Sequence, residues 1–558
     1  MASTFQKNLT LLREKNPFAA FVASMKNGGF SKALDDKQSD LDLSKDILGQ
    51  AEVLIILGLG TGAFYFHYQS WLSEDQERTM VFIEEDEKLL CRFLYEPKAE
   101  KLLQDPQVEI LLASRKDPQL FKDVGWKFLF QKIYYVHLPY YPDPFPLQER
   151  IKATLSGIFL SASDYKNFGV DILENIYQNF LGSEKIGNLA YLSNAFANVP
   201  AIICGSGPSL DKNMHLLKKK SQKALIFAGG SAIDVLSKAD IPMHFTAGVD
   251  PDPDIDRFKM STSFEAPFFF FHRLKHSVFL LQHGLKILAG SPGGYPIEDW
   301  LYRSHDRNLP FLDGGWDVSN FCTSVACHLG CNPIILVGMD HCGTKEKMYA
   351  KNTLQDSRKE DFIPCQDIFG NPVFSKNDWL MSVSWFKEFA EKHPDLQCIN
   401  ATEGGLWIEG LLHVALSDVL GEIFPRQDWN GRCHAILEQS EKIRHAPQHG
   451  KESLMKIKDG LERILDFCSQ ILSVTSENKE TANTNLTILE AQLESEIAFQ
   501  YIIEPIWSIW KFALQRKIRQ EKAKEKPRKE KIQQMIFFQQ VANKHIYLIH
   551  KLCQKKNT

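Results

Sequence analysis

An α/β fold is what this chain of 558 residues predicts: a mostly parallel, doubly wound central sheet, a smaller α/β domain ahead of it and an α-helical region behind. Three observations carry that prediction. Between residues 201 and 404, short apolar runs bounded by Gly, Pro and Asp alternate with helix-like stretches, the pattern of strands buried on both faces. Earlier in the chain, an apolar run ends in glycines and a second apolar run closes on acidic residues. After 426 the strand signals stop, and apolar residues recur at three- and four-residue spacing. The expected boundaries are therefore 1–180, 181–425 and 426–558.

In the first segment "AEVLIILGLGTGAFYF" (51–66) runs into Gly58, Gly60 and Gly62, and "TMVFIEEDEKLL" (79–90) follows. Strand, Gly-rich turn, helix and a strand with a terminal acid is the order of a βαβ nucleotide-binding unit. The spacing is G-x-G-x-G, which equally suits a small domain without a ligand. In the second segment "PAIICG", "KALIFAGG", "HFTAGVD", "APFFFFH", "LKILAG", "NPIILVGMD" and "LQCINATEGG" read as strands. In the third, 450–474 and 485–518 read as amphipathic helices and 535–552 as a last one, with a basic tract at 516–534 joining them. Glu521, Glu525 and Glu530 interleave with that tract's lysines and Pro527 interrupts it, so it reads as a solvated connection with i, i+4 pairing and not as a nucleic-acid site.

Composition narrows the class. A net charge of −4, with 44% hydrophobic and 24% charged residues, describes an ordinary globular chain and argues against generic nucleic-acid binding. The eleven scattered cysteines read as reduced thiols. With no secretory signal at the start and no apolar window fit to span a bilayer, the expected location is cytoplasmic. His272 and His276 (H-x-x-x-H) would share a helix face, but no second ligand pair completes a tetrahedral set, and Cys327 and Cys331 read as core residues. No metal site is expected.

The candidate chemistry sits at strand ends. "AIICGSGPSL" (201–210) places Gly205, Ser206, Gly207, Pro208 and Ser209 between a strand and a Lys-rich helix. Such a turn is either a phosphate cradle or a plain strand-to-helix corner. Gly230 closes "KALIFAGG". "AGVDPDPDID" (247–256) sets Asp250 beside a strand end, as a ligand-facing carboxylate or as part of a solvated acidic loop. "GGWDVSNFCTSVACHLGCNPIILVGMDHCGT" (314–344) reads as a Gly-Gly turn, a helix and a strand. Ser319 and Thr323 lie near the helix's N-terminal end, with Asp340 and His341 after the strand. "DIFGNPVFSKNDWL" (367–380) reads as a hairpin turn at Gly370–Asn371, then a helix capped by Ser375 or Asn377. "INATEGGLWIEG" (399–410) brings Thr402 and Glu403 to another strand end. Several polar strand ends over one sheet are what a nucleotide-dependent transferase needs.

Taken in order, "CGSGPSLDKN", "GVDPDP", "SVACHLGCNPIILVGMD", "DIFGNPVFSKNDWL" and "INATEGGLWIEG" resemble the Maf (motility accessory factor) family of flagellin glycosyltransferases. That family shares its central domain with the MptE-like 6-hydroxymethylpterin diphosphokinases, and "GSGPSL" is similar to the CMP-holding loop of bacterial sialyltransferases. The resemblance implies a Rossmann-like, sialyltransferase-like central domain that takes a CMP-activated nonulosonic acid and transfers it to Ser or Thr of an acceptor protein such as flagellin. It implies nucleotide contacts by Gly205–Ser209, the family's G-x-D-P turn at Asp250, its G-x-D position at Asp340 and its T-E-G-G segment at Thr402 and Glu403. His341 departs from the small or apolar residues usual after that aspartate. No cofactor is obligatory on this reading. The acidic turn at 250–256 would suit Mg²⁺ in the alternative, an ATP-dependent diphosphotransferase acting on a pterin. A non-catalytic scaffold that keeps the fold is the third reading.

Overall fold

The computed structural model describes residues 2–25, 43–113, 118–138, 162–182, 186–259, 265–290, 295–303, 310–344, 347–351, 362–421, 427–437, 447–477, 482–517 and 525–554, with scattered positions at 147–159 and at 353. The chain forms two compact units. One comprises residues 1–164, 472–482 and 507–537; the other comprises 165–471, 483–506 and 538–558. The helical region expected as a third domain from 426 thus contributes segments to both units, and the first division falls at 164 rather than 180.

The first unit is built on a four-stranded parallel sheet in the order β3-β2-β1-β4. Its strands are β1 (Val53–Leu57), β2 (Thr79–Glu84), β3 (Val108–Leu112) and β4 (Ile133–His137). Every residue of β1 and β2 is buried, as continuous apolar runs require. The acid that closes β2 turns back on the Gly-rich turn after β1. Glu84 accepts hydrogen bonds from the amides of Leu59 (3.1 Å), Glu85 (3.0 Å) and Asp86 (3.0 Å). Burial pushes its carboxyl above the usual range even against those three bonds. Here the acid of the βαβ pattern fastens the turn from within the fold.

The second unit carries a nine-stranded sheet in the order β15-β14-β11-β6-β7-β8-β9-β10-β5, with every pairing parallel. The strands are β5 (Ile186–Asn188), β6 (Ala201–Cys204), β7 (Leu225–Gly229), β8 (Phe245–Gly248), β9 (Phe268–Phe270), β10 (Lys286–Leu288), β11 (Ile334–Val337), β14 (Cys398–Asn400) and β15 (Leu412–His413). A separate antiparallel hairpin pairs β12 (Ile363–Gln366) with β13 (Pro372–Ser375). All seven runs singled out in this region are strands. The two additions, β5 and β15, lie at the edges and are too short to signal themselves. Four helices position the site: α1 (Leu210–Lys220), α2 (Ser231–Lys238), α3 (Val318–His328) and α4 (Asn377–Lys392). Phe321, Cys322, Val325 and Ala326 of α3 and Trp385, Phe386 and Phe389 of α4 share one core with Ile203, Phe227, Phe245 and Leu336 of the sheet. Each buried Phe, Ile, Leu or Val among them stabilises the unit by roughly 1.5–3 kcal/mol relative to exposure.

Two local expectations change. Helix α4 has Lys376 at its N-cap with no side-chain cap, while Ser375 instead donates its hydroxyl to the carbonyl of His341 at 2.7 Å. The basic tract is helical from Lys526, with Pro527 in the first turn, where a missing amide hydrogen costs little. Lys529 and Glu525 form the expected i, i+4 pair at 3.9 Å, and Glu521 lies outside the described residues.

Candidate functional site

Strand order locates the site. From β6 the chain lays β7, β8, β9 and β10 successively to one side, then returns to place β11 on the other side of β6. The connections leaving β6 and β11 therefore diverge, and in open α/β sheets ligands bind outside the carboxyl ends of the strands at such a reversal. The Gly205–Ser209 turn follows β6, Gly338–His341 follows β11 and Thr402–Gly405 follows β14.

These three turns are knitted together. The Gly205 amide donates to the Val337 carbonyl (2.8 Å) and the Gly207 amide to the Gly338 carbonyl (2.9 Å). The Met339 amide donates to Thr402 Oγ1 at 3.2 Å, and the Leu406 amide to the Asp340 carbonyl at 2.8 Å. Asp340 is the hub. Its carboxylate accepts the Ser209 amide at 3.1 and 3.2 Å and the Ser209 hydroxyl at 2.6 Å. A Cβ on Gly207 would sit 2.1 Å from Asp340 Oδ2, so glycine is required there by close approach. Burial pushes the Asp340 carboxyl up to about 6, against the Ser209 bonds and the charge of His341.

The two readings of "GSGPSL" thus meet in one structure. One side of the turn is a corner, because the Ser209 donors are committed to Asp340. The other side keeps cradle character: the Ser206 amide makes no hydrogen bond among the described residues, its hydroxyl is likewise unpartnered, and the residue is half-buried. Pro208 sits half-buried between them. Lys212, in the first turn of α1, reaches back to donate its ammonium to the Glu403 carbonyl at 2.8 Å.

Behind the turns lies a pair that only part of the sequence pattern announced. His341, at φ +50°, places Nδ1 3.0 Å from the Met339 carbonyl. Its Nε2 is 3.2 Å from Asp317 Oδ2 and 3.0 Å from Ser382 Oγ. The ring thereby ties the β11 turn to the starts of α3 and α4. Asp317 also caps α3, accepting the amides of Ser319 (2.8 Å) and Asn320 (3.0 Å) and the Ser319 hydroxyl (2.5 Å). Burial opposes its ionisation, but hydrogen bonds from His341, Ser319 and Ser382, together with the His341 charge, hold the carboxyl well below its ordinary range. Sequence reasoning passed over Asp317, although Asp before Val-Ser-Asn is an N-cap signature.

The remaining candidates are more dispersed. Gly230 opens α2 beyond β7, and Asp250 is exposed beyond β8, where its carboxylate accepts the Asp252 amide at 2.9 Å. In the same acidic turn Asp252 pairs with Lys275 at 2.5 Å and Asp254 accepts the Asp256 amide at 3.0 Å. The Thr323 hydroxyl donates to the Ser319 carbonyl (2.9 Å) inside α3, so both hydroxyls expected to face an anion have partners at the helix start. Glu403 is half-buried, at φ +58°, and its carboxylate accepts the Leu416 amide at 3.3 Å.

His272 and His276 do not share a helix face. His272 lies in the turn after β9, fully buried, with Nε2 2.8 Å from the Tyr302 hydroxyl, and His276 opens the next helix with Nδ1 2.8 Å from Asn179 Oδ1. The backbone turn between them breaks the spacing argument. Burial pushes the neighbouring Glu298 carboxyl up to about 8. Among the described residues no three His, Cys, Asp or Glu side chains gather to hold a metal, and no helix is long and apolar enough to cross a membrane.

Fold and site define a parallel α/β unit with glycine-rich turns hydrogen-bonded together at its topological switch point. Residues 171–346 match the family model described as 6-hydroxymethylpterin diphosphokinase MptE-like, so the chain carries an MptE-like domain that takes in β5 through β11. Among solved structures, the Maf glycosyltransferase from Magnetospirillum magneticum AMB-1 aligns over 99% of this chain and 95% of its own, at 15% identity and a TM-score of 0.49. No curated protein sequence matches.

Proposed function

We propose that the nine-stranded unit is the catalytic domain of a nucleotide-sugar-dependent transferase. It binds the CMP part of a CMP-activated nonulosonic acid at the β6–β11 switch point. It then passes the sugar to a Ser or Thr hydroxyl of an acceptor protein, flagellin-like in character. The observation that carries this reading is the convergence of three polar turns at the β6–β11 switch point, with the Ser206 amide and hydroxyl left for a phosphate oxygen. In the transfer step the acceptor oxygen bonds to the anomeric carbon, the bond from that carbon to the phosphate oxygen breaks, and CMP leaves with the electron pair. A base takes the hydroxyl proton. Asp340 and His341 are buried and bonded within the fold. Glu403, after β14 beside the switch point, is only half-buried, and among the described residues its carboxylate accepts a single long bond, from the Leu416 amide, so Glu403 is assigned that role. Asp340 and His341 then act as positioning residues that hold the turns.

The MptE-like match favours a second reading, diphosphate transfer from ATP to a pterin with Mg²⁺. Its cation would fall to the acidic turn, where Asp252 and Asp254 already have partners in Lys275 and the Asp256 amide. Calorimetric titration separates the readings. CMP is expected to bind in the micromolar range, about −8 kcal/mol, and ATP with Mg²⁺ to bind far more weakly. Tight binding of ATP–Mg²⁺ without CMP would replace the first reading by the second. Binding of neither would leave a scaffold.

A further inference from the structure

The hairpin loop between β12 and β13 is held more firmly than a connecting loop requires. The Asp367 carboxylate accepts the amides of Phe369 (2.9 Å) and Asn371 (2.8 Å) and the Asn371 side-chain amide (3.0 Å). Its backbone closes the same loop, through the Asp367 amide to the Asn371 carbonyl (3.0 Å) and the Gly370 amide to the Asp367 carbonyl (2.9 Å). The Ile368 amide then pins the loop to the switch point by donating to the Gly405 carbonyl at 2.9 Å. This rigid loop presents an aromatic ring to solvent: Phe369, which is 65% exposed. The Lys212 ammonium lies 5.8 Å from the Phe369 ring centre and makes no ion pair among the described residues. Lys212 is anchored on the Glu403 carbonyl and its charge also acts on Asp367, yet it keeps no close carboxylate partner among the described residues. The pre-organised exposed ring beside it therefore suits a flat aromatic ligand, and the ammonium a phosphate.

We infer that Phe369 is the stacking platform for the flat heteroaromatic ring of the bound substrate, with Lys212 facing the phosphate where that substrate carries one. The inference rests on the nucleotide-binding reading above and names a subsite within it. The ring chemistry is shared by cytidine nucleotides and by pterins. The full chain is titrated with CMP, 6-hydroxymethylpterin and inorganic pyrophosphate, alongside Phe369→Ala and Phe369→Trp. The alanine variant should bind the ring-bearing ligand about tenfold more weakly, the loss of one base–aromatic stack. The tryptophan variant should restore that affinity, pyrophosphate affinity should not move, and the melting temperature should stay put because the side chain is exposed. Whichever of CMP and the pterin shows the tenfold loss is the source of the ring. Equal binding by wild type and Phe369→Ala would remove Phe369 from the site and leave the nucleotide reading standing. A wild type that binds neither ring would overturn both.

Discussion

Gly405→Ala should destabilise the nine-stranded unit by at least about 3–4 kcal/mol and abolish nucleotide binding. Two penalties add there. Gly405 has φ +77°, a conformation that costs an L-residue roughly 1–2 kcal/mol, and its new Cβ would sit 2.3 Å from Asp340 Cα. The obstruction is backbone, so no rotamer relieves it, and the β11 turn must shift away from β14. Gly370→Ala isolates the conformational part, because φ is +80° there and nothing lies within 4 Å of the added carbon. The difference between the two urea midpoints measures the packing of the turns alone. Equal midpoints would mean that the turns do not meet as described.

The second large effect is a reversal of pH dependence at Asp340. Its carboxyl is raised from the ordinary range to about 6, so the folded protein binds a proton that the unfolded chain has already released. Stability on this account is fully present below about pH 4 and falls as pH rises to about 6, by an amount on the order of 3 kcal/mol. Asp340→Asn keeps an acceptor for the Ser209 amide and removes the charge. The variant should therefore gain on the wild type across that window and be the more stable of the two at pH 8. Urea unfolding at pH 4, 5, 6 and 8 reads the gap. A gap that does not change with pH would show that the carboxylate titrates as if solvated.

Much of the fold was legible because parallel strands buried on both faces must be continuous apolar runs, and the turns at their carboxyl ends carry Gly and Asp. "PAIICG" and "NPIILVGMD" show both features. Nothing in either run says that β6 and β11 are neighbours, which is the fact that makes the switch point. The Asp340–Ser209 contact joins residues 131 positions apart, so a turn that reads equally as cradle or corner gives no sign that a carboxylate fills one side of it. Asp317 had a local signal as a helix cap, but its bond to His341 had none. The error at His272 and His276 has the opposite cause. Four-residue spacing suits a helix, but β9 ends at Phe270 and the chain turns before His276. The helices after 426 were visible by period alone, and period does not say which unit a helix packs on.

The proposed reaction moves a sugar from CMP to a protein hydroxyl at the switch point, with Glu403 as base. One measurement addresses it most directly: CMP release and acceptor mass gain when the full chain is given a CMP-nonulosonic acid and a flagellin, for wild type and Glu403→Gln. The account predicts release and mass gain in equal amounts for the wild type. For the variant it predicts a rate at least about 100-fold lower, with CMP affinity unchanged. Undiminished transfer by Glu403→Gln, or a wild type that leaves the donor intact while converting ATP and 6-hydroxymethylpterin to AMP and a pterin diphosphate, would contradict it.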